Sequence, residues 1–473
     1  MRISPTSKPK ELIPFVHKAL RAWNTIGGTD ENLMGFLLLV KDRRAAVASD
    51  SNPTALRLAT NQLLLDGIEE LAKQDAEGAR VLRDRFPNNH AIAKVARKLN
   101  MSADQVNHRQ RGAISSLSRI LLGREIQFRQ EHAQFLEDQL PPPTYTRLLG
   151  LEDARARLVK QLLLQETPWV VGIVGIGGIG KTALADAVAR QIIHEFTFEK
   201  IIWLRVEART MSGISRAPNL TFDSLMTQLA ARLLPEEGAS GERAVQARQI
   251  LKAVPHLIVI DNLETEADIF YLLEHIRGLA VPSKILLTSR IRPPGQAGVF
   301  TFPIEELGTA DAAALIHHHA STTGVMDLAN APEEDVTTIY QATGGNPLAI
   351  KLVVSLAAIL PLPQILADLV HTRPGKVEDM YRHIYWQTWQ ILSPEARMLL
   401  QVMPLVAETG ALSEQIQAIS GLSTAQLWPA VEELAARSML EVRGTSRERR
   451  YGIHRLTETF LRTEIIHWPE DEI

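Results

Sequence analysis

Gly175-Ile176-Gly177-Gly178-Ile179-Gly180-Lys181-Thr182 stands between the apolar run Trp169-Val170-Val171-Gly172-Ile173-Val174 and a helical stretch that begins Ala183-Leu184-Ala185. A buried strand, a glycine loop and a helix start thus follow one another in the order that a phosphate cradle needs. The glycines let successive backbone N–H groups turn towards an anion without a Cβ clash, and the positive end of the helix dipole falls at the same spot. The stretch predicts a nucleotide site in which Gly175, Gly177, Gly178, Ile179, Gly180, Lys181, Thr182 and Ala183 surround the phosphates. Lys181 is expected to reach the β- and γ-phosphates, and Thr182 to place its hydroxyl on Mg2+.

Downstream, Ile201-Ile202-Trp203-Leu204-Arg205-Val206, Leu257-Ile258-Val259-Ile260, Lys284-Ile285-Leu286-Leu287-Thr288 and Val299-Phe300-Thr301-Phe302 read as further strands separated by helical segments. Near-continuous apolar runs at this spacing predict a parallel sheet covered on both faces. Asp261 follows the second of these runs, where a carboxylate would hold the Mg2+ water shell. Arg290 follows the third, in Thr288-Ser289-Arg290, where a guanidinium would sense a γ-phosphate. A surface arginine at a strand end is the plainer alternative.

A chain of 473 residues is too long for one core and predicts three or four modules. The net charge of -3 hides a division, because Arg80 to Arg129 carries eleven basic residues against three acidic ones. With no cysteine there is no disulfide framework, thiolate nucleophile or cysteine-ligated zinc, which fits a reducing cytosol. Met1-Arg2-Ile3-Ser4-Pro5 lacks an apolar signal core. The apolar stretch Leu348 to Val370 contains Lys351 and two prolines, so it reads as a buried helical pair rather than a membrane span. The expectation is a soluble, cytoplasmic protein. His317-His318-His319 cannot converge on one ion, since adjacent helical residues point to different faces, and it reads as solvated helix surface.

From Pro9 to about Leu140 the spacing of apolar residues is helical. Ile92 to Leu99, then Asn100-Met101-Ser102, then Ala103 to about Leu122 read as helix, tight turn and second helix, with Ser102 as N-cap. Ile92, Val95, Ala96, Leu99, Val106, Ala113, Ile114 and Leu117 form the buried face, which leaves Gln105, His108, Arg109 and Arg111 outside it. That layout suits a second helix lying in a major groove, the basic residues attracting phosphates and Gln105 and His108 offering base-edge hydrogen bonds. The pattern from Ile92 to Leu117 resembles the promoter-reading helix-turn-helix of sigma factors and related bacterial regulators. Arg109 stands where that family usually has an apolar residue, and Gly112 sits inside the reading helix. The competing interpretation is a helical protein-interaction bundle with a solvated basic face. Pro141-Pro142-Pro143 ends this first module.

A second resemblance rests on Leu149-Gly150-Leu151-Glu152, the phosphate loop, Ile201 to Val206, Leu257 to Asp261, Lys284 to Arg290, Gly344-Gly345-Asn346-Pro347-Leu348-Ala349 and Ile453-His454-Arg455. These occur in the order seen in NB-ARC ATPases of the STAND class of signal-transducing switches, which includes apoptosome scaffolds, plant immune receptors and many bacterial regulators. The resemblance covers roughly residues 144 to 465. It implies a multidomain, mainly α chain with one α/β domain: a helical amino-terminal module over 1–140 with the helix-turn-helix at about 90–122, a P-loop nucleotide-binding domain over 144–299, a small helical domain over 302–373 and a winged helix over 377–473. By the same resemblance Leu149 and Gly150 lie by the adenine, Pro347 packs against the nucleotide, and His454 touches the β-phosphate. Read without the family, Pro347 is a turn residue and His454 a core or surface histidine.

Departures from the family pattern bear on chemistry. Asn262 replaces the second acidic residue that activates water in many relatives, so the resemblance implies at most a slow ATPase in which Lys181, Asp261 and, as a distant substitute base, Glu264 take part. Arg455 stands where an aspartate usually follows the winged-helix histidine, and Leu151 replaces an arginine near the adenine. Relatives usually continue into leucine-rich, WD40 or TPR repeats, but no repeat period is present here. A sensor on a partner protein, a shortened sequence, or sensing by the amino-terminal helices would each account for that. The function expected is an ATP/ADP switch, closed with ADP, self-associating with ATP, and acting through double-stranded DNA. The alternative is a signalling or defence scaffold whose amino-terminal helices bind protein.

Overall fold

Val170–Val174, strand β1, is buried along its whole length, as a central parallel strand of valine and isoleucine should be. The structure, a computed structural model, describes residues 7–24, 34–47, 53–206, 218–234, 240–263, 265–293, 298–371, 377–406, 410–437, 439–444, 448–453 and 455–466. The chain divides into two compact units, residues 1–137 and 138–473.

The first unit is helical, with α1 (Pro9–Arg21), α2 (Leu38–Val47), α3 (Pro53–Gln74), α4 (Ala76–Arg85), α5 (Ile92–Leu99) and α6, which begins at Ala103 and runs to Asp138. Leu12, Leu20, Leu63, Leu64, Ile68, Leu82, Leu117 and Leu121 bring four of these helices together in one core. Each such side chain contributes roughly 1.5–3 kcal/mol of burial. Glu125 of α6 is wholly buried. It accepts the N–H groups of Leu38 (2.8 Å) and Leu39 (3.1 Å) at the start of α2, and pairs with Arg129.

The helix–turn–helix segment forms through local chemistry. Asn100 takes the left-handed conformation (φ 55°) that ends α5. Ser102 and Gln105 then make a reciprocal capping box at the start of α6, with bonds of 3.1 and 2.8 Å. The sequence places the end of the second helix near Leu122, yet it continues for sixteen more residues to Asp138. Ala133 and Leu136 extend its buried face, and no proline intervenes before Pro141. The single buried face also splits in two. Val95, Ala96 and Val106 pack with Val81, whereas Ala113, Ile114 and Leu117 join the main core.

An ion pair between the buried carboxylate of Asp84 and the exposed Lys98 ties α5 to α4. Asp84 accepts from Lys98 Nζ (2.8 Å) and Asn88 Nδ2 (3.1 Å). Burial raises the Asp84 carboxyl, but the hydrogen bonds from Lys98 and Asn88 and the nearby positive charge outweigh it and hold the group below its ordinary 3.8. A depressed carboxylate stabilises the fold fully above the unfolded value and loses that contribution as pH falls through the folded one. Acidification below pH 3.8 should therefore lower the protection of the α5 amides relative to their intrinsic exchange rate, and Asp84→Asn should flatten that dependence. Equal pH profiles in the two proteins would refute the assignment.

The second unit opens with α7 (Glu152–Leu162), β1, α8 (Lys181–Ile193), β2 (Ile201–Arg205), α9 (Pro218–Leu233), α10 (Ser240–Ala253), β3 (Leu257–Leu263), α11 (Glu266–Ile276), β4 (Lys284–Ser289) and β5 (Val299–Pro303). The five strands form a parallel sheet in the order β2-β3-β4-β1-β5. Ile202, Leu204, Ile258, Ile260, Ile285 and Leu287 face α9, α10 and α11, and α8 packs on β1, β3 and β4. All carboxyl ends therefore lie at one edge, with β4 between the loop-bearing β1 and the Asp261-bearing β3.

Where the sequence predicts the third strand to end at Ile260, it continues to Leu263. The register shifts between Ile260 and Leu263, and Asn262 there adopts φ 79°. Asparagine tolerates that left-handed conformation better than most residues.

Helices α12 (Thr309–Thr323), α13 (Met326–Ala329), α14 (Glu333–Thr343), α15 (Pro347–Leu356) and α16 (Leu362–His371) follow the sheet. Next come α17 (Val377–Ile391), α18 (Pro394–Val402), α19 (Ser413–Ser420), α20 (Thr424–Ala436), the antiparallel hairpin β6 (Glu441–Gly444) and β7 (Arg449–Gly452), and α21 (Arg455–Phe460). They share one apolar core that includes Ile350, Val353, Tyr385, Leu399 and Leu434. Among the described residues no helix is long and apolar enough to cross a membrane.

His317, His318 and His319 do not form a solvated surface as expected. All three are half-buried on α12, and His319 Nε2 lies 3.1 Å from Ser355 Oγ. Burial, then the charge of Lys351, brings the His319 pKa down to about 4, so it is neutral near pH 7. Helix α12 packs against α13, α14 and α15, and these neighbours take the histidines partly out of water. Among the described residues no group of three metal-ligating side chains converges.

Candidate nucleotide-binding site

Gly180 (φ 103°) is the N-cap of α8, and the first intrahelical bond runs from Leu184 N–H to its carbonyl (2.9 Å). The N–H groups of Lys181, Thr182 and Ala183 lie in the first turn, ahead of the intrahelical ladder, and they carry the positive end of its dipole. Lys181 Nζ curls over the loop and donates to the carbonyls of Gly175 and Ile176, both at 2.8 Å. Ile179 is buried, with its Cγ2 3.1 Å from where a Cβ on Gly175 would stand, so it braces the base of the loop.

Asp261 is 1% exposed and fully engaged. Its Oδ1 accepts from Thr182 Oγ1 (2.9 Å) and Thr288 Oγ1 (2.6 Å), and Arg205 Nη2 lies 3.6 Å from Oδ2. Thr182 and Asp261 would hold a Mg2+ ion, since a hydroxyl and a carboxylate side by side form the hard oxygen set that Mg2+ takes. The first-turn amides of α8, a lysine and that oxygen pair together fit a nucleotide phosphate and its metal. Asn262 donates from Nδ2 to Val206 O (3.4 Å), and its N–H bonds Thr288 Oγ1 (2.9 Å), so it ties strand ends together. Glu264 lies outside the described residues.

The helical layer reaches the loop apex. Asn346 Nδ2 donates to Gly177 O (3.1 Å), and Tyr381 OH donates to Asn346 Oδ1 (2.6 Å). Burial, and then Tyr385, hold the Tyr381 hydroxyl well above its ordinary value against the opposing charge of Arg290. Arg290 thus stands near enough to act on this group, just beyond β4, with its N–H on Leu263 O (3.4 Å). Pro347, half-buried, is the first residue of α15, flanked by Asn346 and Leu348. A Cβ on Gly178 would stand 2.8 Å from Leu348 Cβ.

On the adenine side predicted by resemblance, Leu149 packs against the helical core. Gly150 (φ 69°) abuts Leu307 and Asp311, and Leu151 Cδ1 comes within 3.6 Å of the Cβ position of Gly180. Leu151 therefore fills space beside the loop. His454 lies outside the described residues.

The structure gathers Gly175, Gly177, Gly178, Ile179, Gly180, Lys181, Thr182, Ala183, Asp261 and Arg290 at one sheet edge, and brings α15 to them. Gln105, His108, Arg109 and Arg111 belong to the amino-terminal unit and are exposed on α6. Gln105 is engaged in the capping box, and Arg109 is ion-paired with Glu77. Arg205, Thr288, Asn346 and Tyr381 escaped sequence reading. Arg205 carried a signal, a charged residue closing an apolar strand in register with Asp261. Asn346 carried another, an N-cap before proline.

Comparison with known proteins places this geometry. The NB-ARC domain family matches residues 151–302. A disease resistance-like protein of Arabidopsis thaliana is 32% identical over 155 residues, covering 32% of this chain and 12% of that protein. The regulatory protein AfsR of Streptomyces griseus is 29% identical over 189 residues, 40% of this chain and 18% of its own length. The chain thus spans less than a fifth of the length of either relative. A STAND protein with a tetratricopeptide repeat sensor from Pyrococcus horikoshii aligns with a TM-score of 0.42 at 18% identity, over 68% of this chain and 43% of that one. Motif order, sheet topology and the family match agree: residues 151–302 of this chain match the NB-ARC domain.

Proposed function

We propose that the chain is an ATP/ADP switch, closed over ADP and opened by exchange for ATP into a self-associating state, with regulation of transcription through duplex DNA as its output. One observation carries the switch reading: Asn346 of α15 and Tyr381 of α17 both reach the Gly177 carbonyl at the apex of the phosphate loop, at 3.1 and 3.5 Å, so the helical layer touches the element that senses phosphate. A switch needs only that the two nucleotides favour docked and undocked helices unequally. Thr182 and Asp261 hold Mg2+ in this reading, Arg290 senses the γ-phosphate, and Pro347 packs on the nucleotide. Asn262 in place of a second carboxylate keeps turnover slow.

The DNA reading draws support from the exposed Gln105, His108, Arg109 and Arg111 on α6 and from a relative that is a bacterial regulatory protein. The disease resistance relatives favour the alternative, in which the same helices bind a protein partner.

Both readings are tested on the purified chain. The co-purified nucleotide should be ADP, and the protein should elute larger with ATP than with ADP. Duplex binding should fall linearly in log salt, with Arg109→Ala plus Arg111→Ala reducing the slope by about one to two. Arg111 should account for more of that change, since Glu77 already neutralises part of Arg109. No duplex binding at low salt would remove the DNA output, and an unchanged size with either nucleotide would remove the switch.

A further inference from the structure

We propose that Asn346 and Tyr381 are positioning residues that set the orientation of the Gly177–Gly178 peptide, so that the phosphate loop presents its full set of donors only while α15 and α17 are docked. The proposal rests on the nucleotide reading and names the side chains that couple loop shape to the helical layer.

The orientation of the Asn346 amide is decided by its partners. Its Oδ1 accepts from Leu348 N–H (3.1 Å), Ala349 N–H (3.3 Å) and Tyr381 OH (2.6 Å), so its oxygen is the atom on that side. The NH2 group must then point the other way, where Gly177 O stands at 3.1 Å. Tyr381 OH is buried and stays protonated, which makes it a permanent donor to Oδ1.

The consequence falls on the loop. The Gly177–Gly178 bond is trans, as cis bonds among the described residues occur only before Pro168 and Pro282. In a planar trans peptide the C=O and the next N–H point in opposite directions. Drawing Gly177 O towards Asn346 therefore turns Gly178 N–H away from α15. Glycine at 178, with φ 73°, is what permits that peptide orientation. A loop of glycines has little intrinsic preference, so an outside hydrogen bond decides which way the plane faces. When the helices undock, the peptide is free to rotate and one loop donor is lost to the anion.

Three substitutions separate this role from simple capping. Asn346→Ser keeps an N-cap oxygen for α15 but is too short and lacks the amide to reach Gly177. Tyr381→Phe removes the group that fixes the amide and leaves the cap intact. Asn346→Ala removes cap and donor together. Release of a fluorescent ADP analogue is measured for each in the full chain, alongside thermal stability without nucleotide. Asn346→Ser should speed release roughly tenfold, and Tyr381→Phe roughly threefold, the scale of one lost or weakened hydrogen bond, with little change in stability. If release is at the wild-type rate in both, and only Asn346→Ala alters stability, Asn346 is a helix cap alone and the proposal fails. Should the wild-type chain bind no analogue, the nucleotide reading fails as well, an outcome distinct from wild-type binding that the two variants share.

Discussion

Lys181→Ala is expected to yield a protein that purifies without nucleotide and binds ADP at least 100-fold more weakly than the wild type. Lys181 Nζ sits over the loop, 2.8 Å from the carbonyls of Gly175 and Ile176, at the positive end of α8. A charge-assisted hydrogen bond from such a group to a phosphate contributes about 1.5–3 kcal/mol, and the β-phosphate of ADP offers it more than one oxygen. Losing about 3 kcal/mol weakens binding by roughly two orders of magnitude. The cost to the empty protein is far smaller, because alanine is a good helix former at the start of α8 and Ile176, one of the two residues whose carbonyls are released, is exposed. Nucleotide content after denaturation and isothermal titration with ADP measure the two effects. A variant that retains wild-type nucleotide content would overturn the assignment of this loop as the phosphate site.

Gly178→Val should separate the phosphate loop from the helical layer and leave the chain in its open form. Two penalties apply, and they act on different equilibria. The first is backbone strain, since a β-branched residue at φ 73° costs on the order of 1–3 kcal/mol in any state that keeps the loop conformation. The second is steric and exists only in the docked state. Even a Cβ would stand within 2.8 Å of Leu348 Cβ, 3.1 Å of Asn346 Oδ1 and closer still to Tyr381 OH. Relief requires α15 and α17 to move away, so the clash is the term that shifts docked against undocked. Faster hydrogen exchange in α15 and α17 and a larger hydrodynamic size are expected, together with loss of ADP retention. Gly112→Ala is the control: nothing lies within 4 Å of its Cβ position on the exposed side of α6, so it should be neutral or stabilising by up to about 1 kcal/mol. Wild-type exchange rates in α15 and α17 of Gly178→Val would show that the apex contact does not hold the helices.

The sheet was legible because every signal for it is local. Runs such as Leu257 to Ile260 are apolar on both faces, which only a covered parallel strand explains, and the glycine loop follows Val174 without a gap. Capping was equally readable: Ser102 stands where α6 starts. The reading fell short where partners came from afar. His319 was expected on a solvated helix surface, yet Ser355, 36 residues on, receives it inside the helical layer. Helix α6 outran its predicted end because the buried face that sustains it, at Ala133 and Leu136, lies beyond the motif that drew attention.

The amino-acid sequence by itself determined that a phosphate-binding strand, loop and helix exist, and that a carboxylate follows a neighbouring strand, because adjacent side chains and backbone propensities specify both. Only the tertiary structure decided that Asp261 is shared between Thr182, Thr288 and Arg205, and that Asn346 and Tyr381 meet Gly177 across 169 and 204 residues of chain. Those contacts depend on which strands are neighbours and how helices dock on the sheet edge. Both follow from burial summed over the whole unit, a quantity that no short window of residues contains.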